Sequence, residues 1–158
     1  MGPKENREIP PLNYPRVYQL ASDFPDLTFV LNGGIKSLDA VIKDAGPLDG
    51  AMVGRQAYAE PWMLSQADSR IFGSRDTALE RHEVALSMRD YLGDHCAKGQ
   101  RAAQVLRHML GLYQGMPGAR HWRRTLSQQM NERNAGPDTI ERAVEAVTTI
   151  IERQRHAA

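Results

Sequence analysis

The chain has 158 residues, with 20 basic and 19 acidic side chains, 41% hydrophobic residues and a single cysteine. Such a length holds one modest core or two small ones and falls short of the roughly 250 residues of a complete eight-fold β/α barrel. One cysteine excludes an internal disulfide framework. No apolar run approaches the ~18 residues of a membrane span and the start lacks a signal-peptide core, so a cytoplasmic location is expected.

In chain order, residues 1–12 are charged and then closed by Pro10 and Pro11, which reads as a loop; from charge alone Lys4 and Arg7 are solvated surface. A helix is expected from Pro15 to Phe24, with Val17, Leu20, Ala21 and Phe24 on one face. Two apolar runs follow, Leu27 to Leu31 and Gly50 to Val53, separated by an amphipathic helix from Ser37 to Ala45. They read as parallel strands buried on both faces. Each ends in a glycine-bearing turn that opens into a helix, Asn32-Gly33-Gly34 in one case and Gly54-Arg55 in the other. Glycine permits a sharp turn and close approach of a ligand, a helix start offers N–H groups to an anion, and the Arg55 guanidinium is a bidentate phosphate partner. Either turn alone is ordinary chain punctuation. Two in succession make a candidate phosphate site, of the kind formed after strands seven and eight of a β/α barrel.

Tyr58 and Trp62 read as packing residues, and Asp68 to Asp76 as a linker between domains. From Thr77 onward the pattern is helical. Thr77 with Glu80 has the spacing of a capping box, and Val84, Ala85, Met88, Tyr91 and Leu92 form an apolar face. A second helix carries Ala102, Val105, Leu106, Met109 and Leu110, a third Trp122, Leu126 and Met130, and a fourth begins at Pro137. The expected fold class is α/β plus all-α: the last two β/α units of a TIM-type barrel in residues 1–72, then a four-helix bundle in residues 73–158. Between His95 and Asn131 no acidic residue occurs, while Lys98, Arg101, Arg107, Arg120, Arg123 and Arg124 do. A one-sign surface suits a phosphate backbone, and a solvated helix face is the plainer alternative. The histidines have no partners at metal-ligand spacing, so no metal is expected, and Cys96 reads as structural.

The segments Pro3 to Leu12, Phe29 to Ile35, Leu48 to Arg55 and Ala119 to Arg124 resemble, in this order, motifs of the flavin-dependent tRNA-dihydrouridine synthases, nearest the A-type subfamily. The resemblance covers nearly the whole chain. It implies an FMN enzyme that takes hydride from NADPH and reduces the uracil C5–C6 bond of uridines 20 and 20a in the tRNA D-loop. By the same resemblance Asn32, Gly33, Gly34, Gly54 and Arg55 correspond to contacts with the FMN phosphate, and Lys4, Arg7, Arg120 and Arg123 to contacts with tRNA. The family's catalytic cysteine lies in the first half of its barrel, and no residue here matches that motif. The chain therefore reads as a carboxy-terminal portion whose partner would be the missing amino-terminal half of the barrel. A non-catalytic tRNA-binding module, or one half of a split enzyme, is the alternative.

Overall fold

The computed structural model describes residues 11–156, so Lys4 and Arg7 lie outside the described residues. Two compact units result. One comprises the chain through Ala57 together with Met63–Asp76; the other comprises Tyr58–Trp62 and the chain from Thr77.

In the first unit, helix α1 (Tyr14–Asp23) starts where the Asn13 side chain accepts the Arg16 N–H at 3.1 Å, with Pro15 in the first turn, where its missing donor costs nothing. Helix α2 (Leu38–Ala45) is capped by Ser37, whose Oγ accepts the Ala40 N–H at 3.1 Å, and it carries Asp39 in its first turn and Lys43 in its last, as the helix dipole favours. Strands β1 (Val30–Asn32) and β2 (Gly50–Met52) pair in parallel, with Val30 opposite Gly50, Leu31 opposite Ala51 and Asn32 opposite Met52. Asp49 clamps the start of the pair, accepting the Phe29 N–H at 2.7 Å. Leu31, Ile35 and Val41 form the core here, with Tyr14, Val17, Leu48, Ala51 and Val53 packed around them.

The expectation that both faces of the strands are buried is not met. Side chains alternate along a strand, so Leu31 and Ala51 face the helices while Val30 and Met52 face the other way, and these are 56% and 52% exposed. Two strands have one helical layer against them, and among the described residues the opposite face, with Val30 and Met52, stays exposed. Leu27, expected within the first strand, precedes β1 and is exposed, and Phe24 caps α1 and is exposed rather than packed on the sheet. The expected linker also differs. After α3 (Arg55–Ala59) and a 3₁₀ segment (Pro61–Gln66), residues Ala67–Phe72 form helix α4, ended by Gly73 at φ 64°, and the Asp76 carboxylate accepts from the N–H and Oγ of Ser69 at 2.8 and 2.6 Å. Asp39 and Arg70 form an ion pair that ties α2 to α4.

The second unit contains α5 (Arg81–Ala97), a one-turn α6 (Ala103–Leu106), α7 (Ala119–Gln129) and α8 (Pro137–His156). Helix α8 packs against both α5 and α7. The capping box forms three residues later than the spacing of Thr77 and Glu80 implies: Glu80 is the cap and the Glu83 carboxylate accepts the Glu80 N–H at 2.6 Å. Glu80 is outside the usual Ser/Thr caps, so the sequence pattern points to Thr77, but the helix begins where Val84 and Ala85 reach the core. The expected second helix is cut to Ala103–Leu106 and continues as turns, because Leu112 and Tyr113 are drawn into the core beside Trp122. Trp122, Leu92, Leu106, Leu126 and Ile140 are fully buried, and the Trp122 indole N–H donates to the Met109 carbonyl at 2.9 Å.

These two cores differ in size and cover, which sets an expected exchange pattern. Amide hydrogens of β1 and β2 should exchange faster than those of α5, α7 and α8, since local opening is cheapest where few apolar groups are buried. Equal protection in the two units, read by hydrogen exchange, would contradict this.

Candidate functional site

The parallel register brings the two glycine-bearing turns to the same end of the strand pair. Asn32 and Met52 are opposite each other, so Gly33-Gly34 and Gly54-Arg55 follow the same end of two adjacent strands, which are themselves about 5 Å apart by ordinary strand spacing. Gly33 and Gly34 adopt φ of 123° and 66°, which L side chains rarely do, and a Cβ on either would stand 2.7 Å from a methyl carbon of Leu12. The Tyr14 hydroxyl donates to the Gly33 carbonyl. Because the peptide between them is trans and planar, the Gly34 N–H points to the opposite side of the turn. A Cβ on Gly54 would meet no atom within 4 Å, so its backbone is open to a ligand. Asn32, Gly34, Gly54 and Arg55 are all exposed, and Arg55 is the first residue of α3.

On the second unit Lys98, Arg101, Arg107, Arg120, Arg123 and Arg124 are all exposed, and none of them takes part in an ion pair among the described residues. Arg120, Arg123 and Arg124 share one side of α7 while Trp122 and Leu126 are buried on the other. Arg123 is oriented by a 2.6 Å bond to the Gln114 amide oxygen. Cys96 is half-buried with its Sγ 3.9 Å from the Ala135 carbonyl. Among the described residues no group of three His, Cys, Asp or Glu side chains is placed to hold a metal ion, and no helix is long and apolar enough to cross a membrane.

Two features had no signal in the sequence. Arg81 donates to the carbonyls of Leu112 and Gln114, both at 3.0 Å, and its guanidinium lies 4.9 Å from the centre of the Trp62 ring. Burial lowers the Arg81 pKa from its usual value and pushes the neighbouring Tyr113 hydroxyl up to about 12. Trp62 is thus a packing residue. Tyr58 is not: the residue is 60% exposed, its ring lies edge-on to His108, and its hydroxyl is 2.8 Å from His108 Nδ1.

A family model described as Dihydrouridine synthase (Dus) matches residues 2–151. The chain is 48% identical over 147 residues to the tRNA-dihydrouridine(20/20a) synthase of Shigella flexneri, a match that covers 93% of this chain and 43% of that protein. It is 45% identical over 144 residues to the protein of that name from Vibrio cholerae and 46% identical over 149 residues to the one from Shewanella oneidensis, each match spanning 44% of the relative. The chain therefore spans less than half the length of the curated relatives it matches.

Proposed function

Because this chain belongs to the dihydrouridine synthase family, we propose that it is the part of a tRNA-dihydrouridine synthase that holds the phosphate of FMN and grips tRNA. The full reaction is reduction of the uracil C5–C6 bond of uridines 20 and 20a in the D-loop, with NADPH as hydride donor, and tRNA as substrate puts it in the cytoplasm. The observation that supports the cofactor reading best is the register of β1 on β2, which aligns two glycine-bearing turns at one strand end.

The residues at that end fit a phosphate. The backbone at Gly54 is sterically open, the Gly34 N–H is turned away from Tyr14, and Arg55 supplies a planar, permanently charged fork. When bound, FMN supplies the hydride; Asn32, Gly33, Gly34, Gly54 and Arg55 anchor and orient it by its phosphate tail. The acid that donates the accompanying proton is, by family resemblance, a cysteine outside this chain, and half-buried Cys96 is not its replacement. In the same reading residues 1–72 form the last two β/α units of an eight-fold barrel, and residues 73–158 a four-helix tRNA-binding domain in which α6 and its following turns stand for the second member. The exposed face of Val30 and Met52 supports a partner made of the remaining barrel strands, which would cover it.

Co-expression of this chain with the amino-terminal half of a family barrel tests the proposal through flavin absorbance and the dihydrouridine content of tRNA. Arg55→Ala is expected to lower flavin retention at least ten-fold, as loss of one charge-assisted phosphate contact implies. Unchanged flavin content would remove Arg55 from the site. For tRNA, Arg120→Ala and Arg123→Ala should each reduce the salt dependence of binding by about one unit of slope, since each releases about one counterion; an unchanged slope returns both to plain solvated surface.

A further inference from the structure

The second unit has an open groove of about 460 Å³ between α5 and the segment from Gln104 to Leu112. Val84, Met88 and Met109 line its apolar part. Gln104, His108 and Tyr91 line the rest, and Tyr91 is 59% exposed and stacked beside His95, with ring planes 23° apart. A nucleobase has the same division into apolar faces and a polar edge.

The hydrogen bonds decide which edge. His95 Nε2 lies 3.0 Å from the Gln104 amide oxygen, so that oxygen is engaged and the amide N–H groups are the donors left for a ligand. Arg107 donates to His108 Nε2 at 3.2 Å, which puts the His108 proton on Nδ1, directed at the Tyr58 oxygen. The Tyr58 hydroxyl hydrogen is then left to point elsewhere. This rim offers donors, and Arg107, bonded to His108 Nε2, adds positive charge beside it. We propose that the groove receives an unpaired, carbonyl-bearing nucleobase of the bound RNA, stacked against Tyr91 with its carbonyl on the Gln104 amide. The assignment rests on the tRNA reading above and narrows it from phosphate contact to a single-stranded base.

The test is a titration of this chain with a uridine trinucleotide and, separately, with a blunt RNA duplex, followed by proton–nitrogen correlation spectra. The trinucleotide should shift the Gln104 side-chain amide and His108, and the duplex should not. Tyr91→Ala should weaken trinucleotide binding about ten-fold while Tyr91→Phe retains it; Tyr91 is exposed, so both variants fold. A groove that stays silent while whole tRNA still binds with its salt slope overturns the base assignment alone. Equal shifts from duplex and trinucleotide make the site a phosphate contact and overturn it too, as do groove signals that move with protein concentration in the absence of RNA, which would make a second copy the occupant. If the trinucleotide seats in the groove while whole tRNA fails to bind, the assignment stands and the tRNA reading falls.

Discussion

Trp122→Ala is expected to destabilise the helical unit by about 4 kcal/mol, from the range for truncating a fully buried aromatic, and so to consume much of the stability of a domain this size. Trp122 has no exposed surface, its ring centre lies 4.7 Å from that of Tyr113, and its indole N–H satisfies the Met109 carbonyl. Alanine would leave a cavity against Tyr113 and an unpaired carbonyl at once. Trp122→Phe separates the two effects, since it keeps most of the apolar contact and loses the hydrogen bond, for about 1–3 kcal/mol. Urea unfolding followed by circular dichroism checks both. A loss below about 1 kcal/mol for Trp122→Ala would mean that the unit is not organised around this side chain. Since α7 presents Trp122 inward and Arg120 and Arg123 outward, the proposed tRNA contact predicts that the alanine variant loses tRNA affinity together with its fold and that the Arg variants lose it without unfolding.

The helices with strong local signals were legible in the sequence. The helix expected from Ser37 to Ala45 forms as α2 with Ser37 as its cap, Pro137 opens α8, and the period of Trp122 and Leu126 marks the inward side of α7. What escaped was set by partners distant in the chain. A strand of three residues such as β1 is defined by its neighbour, and an alternation in which Val30 is exposed and Leu31 is buried cannot be read from five consecutive apolar or β-branched residues. Asp68 to Asp76 reads as linker because its composition is polar, yet the Ser69–Asp76 bonds, the Arg70–Asp39 pair and the left-handed Gly73 together hold a short helix. Propensity is a weak prior where such tertiary contacts exist.

The candidate site divides in the same way. The glycine turns were legible because a strand followed by glycine is a local signal, and pairing β1 with β2 then aligns them. Arg81 gave no signal, because its partners are the carbonyls of Leu112 and Gln114, some thirty positions on, and carbonyls belong to every residue. The Tyr58–His108 bond spans 50 positions and depends on the segment Tyr58–Trp62 belonging to the helical unit, which only the folded chain reveals.

That segment crosses the helical unit against Gly111. A Cβ built on Gly111 would stand 2.2 Å from the Ala59 carbonyl oxygen, 2.9 Å from its carbon and 3.2 Å from Pro61 Cδ. The first two are backbone atoms, so no rotamer change relieves the clash, and the added methyl must push a length of chain away. Gly111→Ala is expected to cost about 3 kcal/mol, the upper part of the range for overpacking, and to lift Tyr58–Trp62 off the helical unit. Two contacts should then fail together: the Tyr58 hydroxyl leaves His108, and the Trp62 ring leaves Arg81. Limited proteolysis reads the release directly, as new cleavage between Ala57 and Met63 under conditions where the helical unit stays resistant, and thermal unfolding gives the energy. Wild-type stability and no new cleavage would show that the segment yields freely at this point. The distinction matters for the groove, because the Tyr58 oxygen accepts the proton that Arg107 leaves on His108 Nδ1: if Gly111→Ala frees the segment, the Tyr58 hydroxyl donor is lost to the rim although Tyr91 and Gln104 are untouched.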